Sequence, residues 1–222
     1  MLVLDILNHL LPYIDDLTLR GDETCDITSL ATIQNAKVGS IAFVNNVKYR
    51  QYLENTEASV VIVSPELLDN YSGTALVTKN PYLAWAYVSQ LFNTAPKVTA
   101  QGIHPSAVIA ESATIGEHVV IGANVVIEEG VTIGDYTIIK AGSVIEQDVV
   151  VGEHCFIYPN VTVCYGCVIG NRVTLHSGVV IGAEGFGFAR GPKGYVKIAQ
   201  VGRVILSDDV DIGANSCIDR GA

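Results

Sequence analysis

Residues 121–145 read IGANVVIEEGVTIGDYTIIKAGSVI, with isoleucine at 121, 127, 133, 139 and 145. The spacing extends both ways: Ile103, Ile109, Ile115, Ile121, Ile127, Ile133, Ile139, Ile145, Val151, Ile157, Val163, Ile169, Leu175 and Ile181 follow one another at intervals of six. If aliphatic residues filled one position in three, fourteen successive hits would arise by chance about once in five million trials. A period of six fits neither the 3.6 of an amphipathic helix nor a simple strand alternation. It does fit a solenoid with flat sides and tight corners. At about 3.3 Å per residue, six residues make one side of roughly 20 Å with its corner, so three hexads close a triangular coil. One aliphatic per side then points inward. Four residues after each stands a second, smaller inward set: Ala107, Ala113, Val119, Val125, Val131, Thr137, Ser143, Val149, Cys155, Val161, Cys167, Val173 and Val179. The position directly after the aliphatic is often glycine, as at Gly116, Gly122, Gly134, Gly152, Gly170 and Gly182. Such a corner needs either unusual φ/ψ or close backbone approach.

The 222 residues are 49% hydrophobic and 16% charged, enough to bury a sizeable core in one or two domains. The mean hydropathy of +0.37 is spread evenly by the hexads. No stretch approaches the ~18 uninterrupted apolar residues of a spanning helix, so no membrane span is expected. The N-terminus has no basic segment and carries Asp5 inside its apolar run, which argues against a secretory signal and makes the cytoplasm the expected compartment. A net charge of −10 without a basic stripe argues against a nucleic-acid partner. The five cysteines are scattered and read as reduced core residues, Cys155 and Cys167 lying on the inward grid. Cys164 and Cys167 form a lone C-x-x-C without a second pair, so neither a metal nor a redox role is assigned to them.

Residues 1–97 lack the hexad and read as a small α/β domain ahead of the prism at 98–222, with a linker over 94–102. A helix is predicted from Leu2 to Ile14, strands at Val38 to Val44, Ala58 to Val63 and Ala75 to Thr78, and a helical turn or two at Lys48 to Glu54. Asn80-Pro81 is a helix start, leading into Tyr82 to Phe92. After Ile181 the register breaks and resumes at Leu206, Ile212 and Ile218, which marks 182–205 as an excursion from the coil. Within it, Gly185-Phe186-Gly187-Phe188 and Tyr195 to Ile198 flank Gly191-Pro192-Lys193-Gly194, the pattern of a projecting hairpin. Its glycines serve either tight packing or the enclosure of a ligand.

His118 and His154 share a hexad position but lie 36 residues apart. That is two coils, or about 9.6 Å at the ~4.8 Å inter-strand spacing. A zinc–nitrogen bond is only about 2.0–2.1 Å, so within one chain they cannot share an ion, and no metal or other cofactor is expected. His176, just before the excursion, is the best general-base candidate by position, its other reading being a polar corner residue. In the first domain Phe43, Asn46 and Tyr49 recur at a spacing of three. Two rings bracketing an amide could sandwich a planar base, with Lys48 or Arg50 near a phosphate. Alternatively Phe43 ends a buried strand and Tyr49 packs a helix.

The Phe43/Asn46/Tyr49 segment, Asn80-Pro81-Tyr82, the hexad prism, Ile181-Gly182-Ala183-Glu184-Gly185-Phe186-Gly187-Phe188, Gly202-Arg203-Val204 and Asp219-Arg220-Gly221-Ala222 occur in that order. Together they closely resemble the UDP-3-O-(3-hydroxyacyl)glucosamine N-acyltransferases of lipid A biosynthesis. The resemblance implies a mainly β fold, a left-handed parallel β-helix preceded by a small α/β uridine-binding domain, assembled as a homotrimer with active sites between subunits. It implies a (3R)-3-hydroxyacyl donor on acyl carrier protein, a UDP-glucosamine acceptor, and contacts from Phe43, Asn46 and Tyr49 to the uridine nucleotide. His176, Phe186 and Phe188 are further candidates for lining the site. The chemistry asks for a histidine base and an N–H donor to the oxyanion. The family's base lies about one coil beyond the Asp-Arg-Gly motif, so no catalytic residue is expected within 1–222, and this chain is expected to be a fragment without turnover. Acyl carrier protein is acidic and calls for a basic landing patch, which the overall charge does not reveal. A CoA-dependent hexapeptide acetyl- or succinyltransferase would lack the aromatic clamp, and a non-catalytic scaffold would lack the excursion.

Overall fold

Eighteen residues separate the paired strands of the prism. Thr114, Thr132, Val150 and Val168 stand side by side, as do Ile121, Ile139, Ile157 and Leu175, and Ile127, Ile145, Val163 and Ile181. Three hexads therefore make one coil, and each of three parallel sheets takes every third strand. The computed structural model describes residues 1–68, 71–94 and 102–222. These fall into two compact units, Met1–Lys97 and Val98–Ala222. The expected linker lies, apart from its first and last residues, outside the described residues. The second unit is a left-handed parallel β-helix of hexad repeats.

Most strands of the helix are two residues long, one side chain outward and one inward. Of Val120–Ile121, for example, Ile121 is 1% exposed, and Ile139, Ile145 and Ile157 are wholly buried. The smaller inward set closes the core, and its two hydroxyl members are satisfied within it. Thr137 Oγ1 donates to the Gly152 carbonyl at 2.8 Å and accepts from the Cys155 amide at 3.0 Å. Ser143 Oγ donates to the Tyr158 carbonyl at 2.9 Å and accepts from the Val161 amide at 3.2 Å. Each hydroxyl thus serves a corner that the two-residue strands leave without ladder partners.

The corners divide their work between two positions. The glycine directly after the aliphatic allows close approach: a Cβ on Gly134 would lie 2.6 Å from the Gly152 carbonyl carbon, and one on Gly122 would lie 2.7 Å from the Ala141 nitrogen. The unusual dihedral belongs to the third residue after the aliphatic. There His118, Asn124, Tyr136, Asp148, His154, Asn160 and Arg172 all have φ between 54° and 58°, with glycine at several of the remaining corners. Asparagine and aspartate tolerate this region best among non-glycine residues, which accounts for part of the set. Side chains of the next coil seal the corners, as where Asp135 Oδ1 accepts from the Glu117 amide at 2.7 Å and Asn171 Oδ1 from that of Glu153 at 2.9 Å.

Cys155 and Cys167 are buried as the grid requires, but the expectation that all five cysteines are core residues fails at Cys217, which is exposed. It precedes an inward aliphatic, Ile218, and so points outward. Burial, with Glu146 adding to it, pushes the Cys164 thiol up to about 11, which keeps it protonated and unreactive at neutral pH.

In the first unit, α1 (Val3–Leu10), β1 (Thr18–Arg20), β2 (Ser29–Leu30), β3 (Ser40–Val44), β4 (Val60–Val63), β5 (Thr74–Val77) and α2 (Pro81–Leu91) build a five-stranded sheet of order β1-β5-β4-β3-β2. Only β1 runs antiparallel to its neighbour. Ile41, Val60, Ile62 and Leu76 face Val3, Ile6 and Leu10 of α1 and Ala84 and Val88 of α2. Ala42, Val44, Val61, Val63 and Ala75 face Ile33, Leu53, Leu67 and Tyr71 on the other side. Strands buried on both faces read as unbroken apolar runs. Helix α1 stops at Leu10 rather than Ile14 because Pro12 has no N–H to continue it. The strand predicted from Val38 begins at Ser40, since Val38 is 87% exposed and Gly39 turns at φ +86°.

Asp16, just ahead of β1, anchors the connection between β5 and α2: Thr78 Oγ1 donates to its carboxylate at 2.7 Å and the Lys79 amide at 2.8 Å. These bonds, the hydroxyl first, hold its carboxyl below the usual aspartate range. A depressed carboxyl contributes stability that is present above the unfolded value and lost as pH falls through the lower folded one. Wild type is therefore expected to lose stability below about pH 4 more steeply than Asp16→Asn. Urea titrations at pH 3 and pH 6 check this, and equal pH dependence in the two proteins would contradict it. Among the described residues no helix is long and apolar enough to cross a membrane.

Candidate functional site

The end of β3 and the segment after it build the first candidate site. Asn46 caps a 3-10 helix, Val47–Tyr52, its Oδ1 accepting from the Lys48 amide at 2.9 Å. That turn projects Tyr49, 43% exposed, back over the strand end. Phe43 is held from α2, its ring stacked on Trp85 with centroids 4.8 Å apart and inclined to Tyr82 at 5.8 Å. Phe43 and Tyr49 then line one cavity of about 290 Å³ with Thr32, Ile33, Gln34, Val44 and Asn45. Its size is close to the lower end of the roughly 300–1,000 Å³ of small-ligand clefts, and two rings with a few polar groups suit a planar heterocycle.

The structure thus brings Phe43 and Tyr49 to one cavity, whereas Asn46 spends its carbonyl oxygen on the cap and is not among the lining residues. Thr32, Gln34 and Asn45 supply the polar groups, and spacing alone missed all three. Thr32 and Gln34 lie roughly ten residues upstream and arrive only because β2 pairs with β3, Leu30 beside Ile41. The doublet Asn45-Asn46 was the one available signal for Asn45.

On the prism the histidines belong to ladders. Tyr136 lies between His118 and His154, its centroid 4.9 Å from each. The gap that rules out a shared ion is therefore filled by a ring. His104 Nδ1 meets Ser106 Oγ at 2.9 Å, and that oxygen also accepts from the Asn124 amide at 3.1 Å, so the serine is part of a corner. His176 stacks on Tyr158 at 4.8 Å, and its Nε2 lies 3.1 Å from Asp211 Oδ1. It is 38% exposed, an oriented imidazole open to a ligand from outside the prism.

The excursion forms the second candidate site. The strand Val180–Glu184 still pairs with the following coil, so the chain leaves the prism only after Glu184 and returns at Val204. Ile169 pairs with Leu206, 37 residues on instead of 18, so the excursion adds 19. Phe188–Gly191 and Gly194–Lys197 make an antiparallel hairpin turning through Pro192 and Lys193. Phe186 and Phe188 contact one another at 5.0 Å and border, with Tyr195, an open hollow of about 550 Å³. In these contacts His176 and the two phenylalanines form separate groups.

Arg220 pins the root of the excursion. Only 3% exposed, it donates to the Gly182 carbonyl at 2.7 Å and the Tyr165 carbonyl at 2.8 Å, and its guanidinium lies 3.5 Å over the Tyr165 ring. Gly182 itself turns at φ +86°, with Cys167 Sγ where a side chain would stand. A buried arginine satisfied by carbonyls and a ring, with no carboxylate paired to it among the described residues, is a rigid fastening.

These coils, with an α/β unit ahead of them, define a hexapeptide-repeat β-helix protein. Residues 24–91 match the family UDP-3-O-(3-hydroxymyristoyl) glucosamine N-acyltransferase, LpxD, and residues 98–184 match the GMPPB C-terminal domain. Over 205 residues, 92% of the chain, it is 50% identical to the UDP-3-O-acylglucosamine N-acyltransferase of Pseudomonas entomophila and 52% identical to that of Pseudomonas fluorescens strain SBW25. The protein is a homologue of these N-acyltransferases, and it spans 58% of the length of the relatives it matches. Among solved structures it is similar to a mutant perosamine N-acetyltransferase from Caulobacter crescentus in complex with CoA and GDP-perosamine, at 22% identity and a TM-score of 0.43, covering 84% of this chain and 73% of that one.

Proposed function

We propose that the chain is part of a homotrimeric cytoplasmic N-acyltransferase of lipid A biosynthesis. It moves a (3R)-3-hydroxyacyl group from acyl carrier protein to the 2-amino group of UDP-3-O-(3-hydroxyacyl)glucosamine. The observation that carries this reading is the 50% identity to curated UDP-3-O-acylglucosamine N-acyltransferases across both units. The amine nitrogen attacks the thioester carbonyl, the C–N bond forms, the C–S bond breaks, and the amine proton passes through a base to the departing thiolate. Phe43 and Tyr49 hold the faces of the uracil, and Asn45, Gln34 and Thr32 meet its polar edge. Asn46 keeps its amide N–H groups for the nucleotide while its oxygen fixes the turn that carries Tyr49. His118, His154 and His104 are spent on ladders and a corner, so none of them is assigned the base. His176 and the arm rings Phe186 and Phe188 are proposed to line the site, the base coming from outside residues 1–222. Residues 1–222 alone are accordingly proposed not to turn over.

The test uses the full-length enzyme with the carrier-protein donor. Stacking a base on an aromatic ring is worth about 1–3 kcal/mol, so Phe43→Ala and Tyr49→Ala are each expected to raise the acceptor KM roughly tenfold, with kcat little changed. Turnover with acetyl-CoA alone, or an unchanged KM in both variants, would move the chain to another hexapeptide family.

A further inference from the structure

The two rings of the cavity beside β3 are held unequally. Tyr49 rides on the short 3-10 turn Val47–Tyr52, none of whose residues is buried. It is tied by the Asn46 cap and meets Tyr52 in a tilted contact at 6.3 Å. Phe43 is fixed from two directions. Its backbone lies in the sheet, paired with Ile62 of β4, and its ring rests against two aromatic side chains of α2.

Those two, Tyr82 and Trp85, stand three residues apart and so share one face of α2. Trp85 is the nearer and the more nearly parallel. Its centroid is 4.8 Å from that of Phe43 with the planes 25° apart, against 5.8 Å and 45° for Tyr82. It is also the better anchored, packing on the core between sheet and helices while Tyr82 is 63% exposed. Ala84 and Val88, both wholly buried, pin the turn that carries Trp85 to the sheet. The start of α2 is held by Asn80, whose Oδ1 accepts from the Leu83 amide at 3.1 Å, and by the Asp16 bonds just ahead of it. The face of Phe43 against the indole is taken, so the ring offers its remaining surface to the cavity that it lines.

We infer that Trp85 is the positioning residue of the base site, fixing the plane of Phe43 so that this ring meets the uracil already oriented. It acts through Phe43 rather than on the ligand. Without the indole, Phe43 would turn into the vacated space, and part of the stacking energy would go into ordering it again. Recognition is then asymmetric: Phe43 on Trp85 is the fixed wall, and the ordering that remains falls on the exposed turn bearing Tyr49. The inference rests on the uridine-nucleotide reading proposed above.

The test measures kcat and both KM values of the full-length enzyme for wild type, Trp85→Leu, Phe43→Ala and the double variant. Trp85→Leu is expected to raise the acceptor KM about three- to tenfold, the scale of one lost aromatic pair, with kcat and the donor KM near wild type. In the Phe43→Ala background the same change is expected to add nothing, because no ring is left to hold. Trp85→Phe, which keeps a ring against Phe43, is expected to recover most of the loss. Trp85→Met, a flexible filler of the same space, takes the place of Trp85→Leu if that variant does not fold. Effects that multiply in the double variant, or a fall in kcat without a change in acceptor KM, would make Trp85 a purely structural residue and overturn the inference. An unchanged acceptor KM in Trp85→Leu beside a raised one in Phe43→Ala would overturn it alone and leave the uridine reading in place. An unchanged acceptor KM in Phe43→Ala would overturn the inference together with the clamp on which it rests.

Discussion

Ile139→Ala is expected to destabilise the β-helix by about 2–5 kcal/mol, the range for removing a buried aliphatic where the surroundings cannot collapse into the space. Ile139 is wholly buried, and its register neighbours Ile121 and Ile157 belong to coils whose backbones are pinned by their own ladders. The cavity therefore stays open instead of closing by relaxation. Val150→Ala is the control, because Val150 is 42% exposed on the outside of the same prism and should cost about 0.5 kcal/mol or less. Guanidinium titrations followed by circular dichroism compare the two. A cost for Ile139→Ala as small as for Val150→Ala would mean that the inward stack is not the core of this fold.

Gly134→Ala should act through backbone rather than through a cavity. Its new methyl would lie 2.6 Å from the Gly152 carbonyl carbon and 2.7 Å from the Glu153 nitrogen, and neither atom can turn aside as a side chain would. The coils must part locally, at a cost of about 1–3 kcal/mol or more. Gly166→Ala separates this effect from that of the dihedral. Gly166 has φ +67° with no heavy atom within 4 Å of the new carbon, so the left-handed backbone alone is charged, about 1–2 kcal/mol. Hydrogen exchange is expected to rise across the ladder joining residues 132–134 to 150–152 in Gly134→Ala and to change little in Gly166→Ala. Equal protection in both would show that the coils are free to separate.

The hexad was legible because it repeats: each side of the prism asks the same of its residues, and the inward aliphatics answered from Ile103 to Ile181. The corner mechanism was only half legible. Glycine after the aliphatic left dihedral and close approach as equal readings, and the left-handed position two residues further on is filled by His118, Tyr136 and Arg172 as well as by asparagine and glycine, so composition does not announce it. The candidate sites divide in the same way. Phe43 and Tyr49 flank one strand end and could be read from local spacing, whereas Thr32 and Gln34 reach the same cavity through a parallel pairing that no local pattern encodes.

By itself, then, the sequence determined the prism, its three sides, the existence of an excursion after the Ile181 hexad and the closeness in sequence of Phe43, Asn46 and Tyr49, all of which depend on neighbours a few residues apart. Tertiary structure alone decided that Tyr136 separates His118 from His154 and that Arg220 fastens Gly182 from 38 residues away. The reason is distance along the chain. Side-chain period is written locally, while contacts between successive coils and across the excursion depend on closure of the whole turn.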